Sequence, residues 1–202
     1  MTGYIQVSLT EMLEQVGEER VKSILSCFSS PLNKDVEQFL RSKAIEFSKS
    51  GIAQTHLIFT SYKGELVLIG YFTLAPKVIV ATKNSLSKTL QKRMLKFAKY
   101  IPEIKGYILT TPLIGQLGKN YQNGYDKLIS GDELLKMACD KISLIQYEIG
   151  GRYAYLECED KPKLIDFYKR NGFVEFGKRV LETDERDVMS GTYLIQMLKY
   201  FR

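Results

Sequence analysis

The sequence predicts a single mixed α/β domain, and three observations carry that prediction. A chain of 202 residues with 45% hydrophobic content is of single-domain length and can bury a full core. Stretches with strand character alternate with stretches of helical periodicity from residue 33 to residue 200. No internal repeat, low-complexity tract or linker-like stretch divides them.

The elements follow in order. Residues 1–32 read as two short amphipathic helices, the first with Thr10 as its N-cap and the second with Val21, Ile24, Leu25 and Phe28 as its apolar stripe. Asn33 caps a longer helix that places Val36, Phe39, Leu40, Ala44 and Phe47 on one side and closes at Gly51. Residues 54–61 and 66–75 are strands around the turn Tyr62-Lys63-Gly64-Glu65, and Pro76 ends the second. Residues 84–100 are expected to be helical, with Leu86, Leu90, Met94, Leu95 and Phe97 set against the lysines. Tyr107 to Leu117 is a strand interrupted by Pro112 and Gly115, residues that disfavour a fully paired position. A polar, glycine-rich loop then opens into a periodic helix carrying Leu135, Ala138, Ile142, Ile145 and Ile149, stopped by Gly150-Gly151.

Residues 153–173, YAYLECEDKPKLIDFYKRNGF, read as a strand, a tight turn, a short helix and a glycine stop. Asp160 is the expected N-cap, Pro162 belongs in the first turn, and Leu164, Ile165 and Tyr168 share one helix face. Asn171-Gly172 supplies the left-handed stop. Residues 174–181 and 193–200 are two last strands joined by an acidic loop that starts Glu182, Thr183, Asp184, Glu185.

Composition narrows the function classes. The start of the chain is acidic and lacks a basic segment before an apolar run, and the longest uncharged apolar run, Leu66 to Pro76, is too short to span a bilayer. No membrane association is therefore expected. Cys27, Cys139 and Cys158 are odd in number and without CxxC spacing, with His56 the one histidine to join them. Disulfide and zinc readings are both weak, no metal site is expected, and a cytoplasmic setting follows. The net charge of +6 is concentrated: from Lys77 to Lys105, eight Lys and Arg residues face Glu103 alone, a surplus of seven, so the rest of the chain is about neutral.

Tyr168, Gly172 and Phe173 form a Tyr-x-x-x-Gly-Phe that, with the preceding YLECEDKPK, resembles the closing motif of the GNAT superfamily of acyl-CoA-dependent N-acetyltransferases. LVLIGYFTLAP (66–76) is similar to that family's third strand, and LIGQLG (113–118) to its fourth, which splays from its neighbour so that pantetheine can pair with free backbone groups. The resemblance covers roughly residues 33–200. It implies the GNAT fold, a central, mostly antiparallel twisted sheet with a splayed fourth and fifth strand pair and flanking helices, with acetyl-CoA as co-substrate. Lys161 stands where the family carries a turn asparagine, and the turn is one residue shorter.

The resemblance also assigns roles. Tyr168 takes the position of the acid that protonates the departing thiolate; a phenol with a pKa of about 10 stays protonated at neutral pH. From spacing alone the same tyrosine packs in the core against Leu164. Glu157 is the candidate base for the amine, with Glu159 two residues on as a weaker substitute. An ordinary salt-bridged glutamate is the competing reading. The cofactor loop departs from the family: of its usual glycines only Gly131 matches in DKLISG, and Gln122 and Gly124 are the front of a motif split by an insertion. Phosphate can still be held by amides at a helix start, and Leu128, Ile129, Ser130, Gly131 and Asp132 are expected to do so, with Lys127 adding charge. Leu117, Gly118 and Lys119 on the splayed strand, Lys161 and Tyr168 complete the expected cofactor contacts. His56 reads as a packed or surface imidazole, and Cys158 as pointing away from Glu157; the resemblance implies direct attack by the amine, the family's usual route, over covalent catalysis.

Residues 77–105 form a basic helical insert between the family's third and fourth strands. Lys83, Lys88, Lys92, Arg93, Lys96 and Lys99 are either a solvated helix face or a surface for tRNA or another anionic partner. Phe39, Leu40, Ala44 and Thr55, followed by GYFTLA, are similar to the front half of the GNAT toxins that acetylate the amino acid on charged tRNA. Three functions stay open: an acetyl-CoA-dependent N-acetyltransferase of unassigned primary amine, the same chemistry on aminoacyl-tRNA by a toxin with an antitoxin partner, and an RNA-binding or interaction protein that kept the fold and lost catalysis. The acceptor amine, the acyl group and the choice between monomer and homodimer are not legible.

Overall fold

Lys63 and Gly64, with φ of 51° and 84°, close the first hairpin of the chain in a two-residue turn of the type that matches strand twist. The computed structural model describes residues 3–183 and 191–201. The chain divides into two compact units, Met1–Ala75 with Ile114–Ala138, and Pro76–Leu113 with Cys139–Arg202.

The first unit is built on β1 (Tyr4–Ser8), β2 (Gln54–Tyr62) and the front of β3 (Glu65–Thr82), paired antiparallel in that order, with the end of β5 (Gly106–Lys119) beside β3. Before β2 come α1 (Leu9–Val16), α2 (Glu18–Ser26), α3 (Lys34–Gln38), a π-helical turn (Phe39–Lys43) and α4 (Ala44–Lys49). Leu9, Val21, Leu25, Phe28, Val36, Leu40 and Ala44 from these helices pack on Leu57, Leu68 and Tyr71 of the strands. The predicted Asn33 cap is present, its side chain accepting from the amides of Asp35 and Val36. Thr10 is not the cap of α1. Ser8 is, because a glutamate three residues on completes a capping box with it, while Thr10 exchanges hydrogen bonds with Gln54 at 3.0 Å. Strand β1 was not expected; its five residues owe their form to β2 alongside rather than to a local signal.

In the second unit the strand order is β3-β5-β6-β8-β7, with β6 (Tyr153–Glu159), β7 (Val174–Val180) and β8 (Tyr193–Tyr200), and β4 (Lys99–Ile101) added on β5. β4 pairs antiparallel with β5, and β8 with both β6 and β7, whereas β5 runs parallel to β6 and meets it at Leu113↔Tyr155. Pro76 does not end β3. The alternation Val78-Ile79-Val80-Ala81, exposed and buried in turn, carries the strand to Thr82. The helix expected over 84–100 is shorter. Ser87 caps α5 (Lys88–Met94), and after Met94 single-turn hydrogen bonds lead the chain into β4. Leu86, Leu90 and Met94 are buried with Tyr107, Tyr153, Tyr155 and Phe176, whereas Leu95 and Phe97 are exposed.

Helix α6 (Gly131–Ile149) begins in the first unit and ends in the second; Leu135, Ala138 and Ile142 are buried as predicted, but Ile149 at its end is exposed. In α7 (Pro162–Arg170) the N-cap is Lys161, not Asp160. The Asp160 carboxylate accepts instead from Tyr193 Oη at 2.5 Å. Gly172, at φ 85°, stops α7 as its position predicts. Of the acidic loop, Asp184 and Glu185 lie outside the described residues. Among the described residues no helix is long and apolar enough to cross a membrane.

Candidate active site

The Tyr168 side chain is positioned by α7. Pro162 starts the helix where its missing N–H costs nothing, and the glycine stop turns the chain so that Phe173 returns an amide hydrogen bond to Tyr168 O at 3.1 Å. The ring lies 4.9 Å from Phe167 and 5.8 Å from Phe173, and the residue is 9% exposed. Burial, with a smaller contribution from Cys158, raises the phenol well above its ordinary value. Tyr168 is therefore an O–H donor throughout the neutral range. Both predicted features, the core packing and the retained proton, describe the same side chain.

Glu157 is not a free carboxylate. Arg179 of β7 grips both its oxygens, Nε donating to Oε1 at 2.7 Å and to Oε2 at 2.8 Å, and Nη2 approaching Oε2 at 2.7 Å. Tyr155 Oη donates to Oε1 as well, and Gln196 Nε2 donates to Tyr155 Oη at 2.8 Å. The side chains of Glu157 and Arg179 are 13% and 22% exposed. The sheet brings these four together: Glu157 is in register with Gln196 on β8, which is in register with Gly177 on β7, two residues before Arg179. A Cβ on Gly177 would stand 2.8 Å from Gln196 Oε1, so glycine leaves room for the glutamine. Burial first, then the bond to Glu157, pushes the Tyr155 phenol far up. Glu159, the substitute base, pairs with Lys161 at 2.7 Å. Cys158 faces the other way, its Sγ 3.9 Å from Met197 Sδ, and burial lifts its thiol to about 12. A thiol so raised is not a nucleophile at neutral pH.

The expected phosphate loop lies in the first unit. Ser130 and Glu133 form a capping box at the start of α6: Ser130 N and Oγ donate to Glu133 Oε2 at 2.8 and 2.7 Å, and Glu133 N donates to Ser130 Oγ at 3.1 Å. Hydrogen bonds from Ser130 hold the Glu133 carboxyl below its usual range. Tyr4 Oη donates to Glu133 Oε1 at 3.1 Å and to Leu128 O at 3.2 Å. Of the five amides expected to meet phosphate, Leu128 N donates to Tyr125 O and Ser130 N to Glu133. Asn123 and Gly124, with φ of 51° and 75°, make the turn before it, where the split motif was placed.

The other expected cofactor residues have structural duties. Lys119 Nζ donates to Asp126 O at 2.8 Å. Gly118 is buried, and a Cβ there would meet Val36 Cγ1 at 2.3 Å. Leu117 is half-buried, and Lys127 and Lys161 are exposed. The sequence reading missed Asn120, 2% exposed, whose Oδ1 accepts from the amides of Ser29 and Gln122 at 3.0 Å while Nδ2 donates to Leu68 O at 2.8 Å. It missed Arg179, Tyr155 and Gln196 too. The Ser130-x-x-Glu133 spacing was a signal that could have been read; Arg179 and Gln196 find Glu157 only once the strand register is known. His56 is buried against Phe72, the packed one of its two readings. A surface pocket of about 640 Å³ is lined by Ser85, Lys169 and Phe173 through Lys178, and includes neither Tyr168 nor Glu157.

No protein-family model matches the chain, and no curated protein matches it. Solved structures do. A bacterial toxin is 15% identical, with 99% of this chain and 92% of that one covered at a TM-score of 0.62. AtaT complexed with acetyl-methionyl-tRNA is 15% identical over 96% of this chain and 94% of that one, at 0.60. A tyrosine-to-phenylalanine mutant of AtaT, bound to the C-terminus of the antitoxin AtaR and to acetyl-CoA, is 13% identical over 98% and 92%, at 0.59. The likeness establishes the fold: a mixed α/β architecture of the GNAT type, with a central twisted sheet flanked by helices, as the motifs predicted.

Proposed function

We propose that this protein is an acetyl-CoA-dependent N-acetyltransferase whose acceptor is the amino group of an amino acid carried on tRNA, and that it acts as a toxin held in check by an antitoxin. The observation that carries the reading is Tyr168: a buried, proton-retaining phenol that opens the Tyr-x-x-x-Gly-Phe motif, in a chain whose fold matches tRNA-bound and acetyl-CoA-bound toxins along nearly its whole length. That likeness and the Phe39, Leu40, Ala44 and Thr55 pattern support this acceptor, a narrower claim than acetyl transfer to an unassigned amine.

In this mechanism the acceptor nitrogen attacks the thioester carbonyl directly, the carbon–sulfur bond breaks, and Tyr168 Oη gives its proton to the departing sulfur. The attacking nitrogen releases its surplus proton to solvent, from which the Tyr168 phenolate regains one, and the products are an amide and free CoA thiol. The start of α6 would hold the pyrophosphate. The Glu133 carboxylate, an anionic oxygen already accepting from Ser130 N and Oγ, supports this; with that side chain turned out, the same donors and the helix dipole would meet phosphate. Ile129, Gly131 and Asp132 would add amides, Lys127 charge, and Leu117, Gly118 and Lys119 the strand backbone along pantetheine. Lys161, at the cap of α7, is the last of the proposed cofactor contacts.

Lys83, Lys88, Lys92, Lys96 and Lys99 are exposed, and α5 buries Leu90 and Met94 so that its own Lys88 and Lys92 turn out. They are proposed to meet tRNA phosphates, while Arg93 stacks 4.9 Å over Tyr200 and holds the helix down. A thiol-release assay across amines, peptides, uncharged tRNA and charged tRNA tests the reading. Release is expected with charged tRNA and to weaken steeply with salt. Release with free amines or peptides but not with charged tRNA would replace the acceptor, and no binding of acetyl-CoA would leave a shared fold alone.

A further inference from the structure

Within the second unit, β3 past Pro76, the front of β5 and β4 beside it form a small sheet with one face covered and one bare. On the covered face Ile79, Ala81, Tyr107 and Leu109 pack with Leu86 and, from α5, Leu90 and Met94. Strand alternation sends the intervening side chains the other way. There Val78, Val80 and Ile108 are 61%, 48% and 37% exposed, and Thr82 and Thr110 are exposed with them. Lys99 is in register with Ile108 and so stands on the same face. β-branched side chains suit a strand, but Thr82 and Thr110 meet that preference with a hydroxyl turned to water. Three aliphatic side chains at such positions exceed what the strand needs, and apolar surface gathered in this way marks an interaction site.

The rim carries one sign of charge. Lys77 lies at one end of the face and Lys83 and Lys105 at the other, where the Lys83 amide donates to Lys105 O at 2.9 Å. These three and Lys99 are exposed, and Glu103 is the one acid between Lys77 and Lys105. We infer that the bare face is a docking surface for an amphipathic, acidic helix of a partner protein. The covered face shows which element such a sheet accepts, a short helix with apolar residues at i and i+4, as Leu90 and Met94 are in α5. The lysines call for acidic residues flanking that apolar stripe. A second copy of the chain would bring two like-charged segments together, each with a surplus of seven. Nucleic acid would leave the aliphatic side chains without a partner, since base stacking needs aromatic rings and Val78, Val80 and Ile108 supply none. Such docking goes beyond acetyl transfer and does not depend on it.

The probe is a fluorescein-labelled helical peptide of about 18 residues, with leucine at i, i+3, i+4 and i+7 and glutamate on the opposite side, titrated with the full chain and read by anisotropy. A scrambled peptide of the same composition is the control. The amphipathic peptide is expected to bind at least about tenfold more tightly than the scrambled one, and to weaken as salt is raised. Val78→Thr combined with Val80→Thr keeps the β-branch, and is expected to lower affinity about tenfold without moving the thermal midpoint. No measurable binding, equal affinity for the two peptides, or unchanged affinity in the double variant overturns the inference. It is overturned too if the unmodified chain, without binding the peptide, self-associates in sedimentation velocity or binds phosphatidylglycerol vesicles and the double variant does not, which would make the occupant a second copy or a lipid surface. Should the double variant lose its fold, the comparison of the two peptides on the unmodified chain decides alone.

Discussion

The backbone of Gly118 lies against the side chain of Val36: a Cβ built on the glycine would stand 2.3 Å from Val36 Cγ1, with Phe28 Cζ and Tyr71 Cε1 at 3.4 Å. β5 thus runs so close to α3 that one methyl group cannot be added without moving one of them. Gly118→Ala is expected to destabilise the protein by about 1–3 kcal/mol, the range for overpacking a core, read from the midpoint of a urea unfolding curve. An unshifted midpoint would mean that α3 yields freely.

Asn120 ties the end of β5 to two other segments through three hydrogen bonds from a nearly inaccessible side chain. Truncation would leave the Ser29 and Gln122 amides and the Leu68 carbonyl without this partner. Asn120→Ala is expected to cost roughly 2–4 kcal/mol, since each stranded buried group carries its desolvation penalty. Chemical denaturation measures it, and a loss under about 0.5 kcal/mol, the level of an ordinary surface change, would contradict the assignment.

At the start of α6, Glu133 occupies donors that the proposal gives to phosphate. Removing its charge should tighten acetyl-CoA binding by roughly three- to tenfold, the scale of one charge near a helix terminus, at the expense of a weaker cap. Calorimetric titration of Glu133→Gln checks the sign. Weaker binding would place the phosphates elsewhere.

The folded-state pKa of Cys158 is lifted from an ordinary 9.0 to about 12, first by burial and then by Glu175, Asp160 and Glu159. A raised pKa favours the folded protein fully below pH 9, where the thiol is protonated in both states, and the advantage fades as pH climbs from 9 toward 12. Thermal melts should therefore fall over that window, and Cys158→Ala should show a shallower fall than the unmodified chain. Parallel curves would remove Cys158 from the alkaline loss.

Much of the fold was legible because local chemistry and tertiary structure agree. The Asn33 cap, the Lys63-Gly64 turn, the α6 stripe through Ile142 and the Gly172 stop each follow from short-range rules that the packing respects. β3 passes Pro76 because the alternation after it outweighs the proline. Two other misreadings share a cause: β1 and the conversion of 99–101 to strand depend on a neighbouring strand distant in sequence. The same holds at the site: Tyr168 was readable as part of a linear motif, but the grip of Arg179 on Glu157 is made by three strands in register. Asn120 carries no sequence signal, since a polar loop residue and a buried strut are the same letter.

The most direct test of the central claim compares Tyr168→Phe with the unmodified protein, measuring acetyl-CoA affinity and thiol release with charged tRNA in parallel. The substitution keeps the ring packed against Phe167 and Phe173 and removes the donor alone. Turnover is expected to fall by about 10²-fold or more, the usual contribution of a positioned acid, with acetyl-CoA affinity nearly unchanged. Undiminished release from the phenylalanine variant would contradict the account.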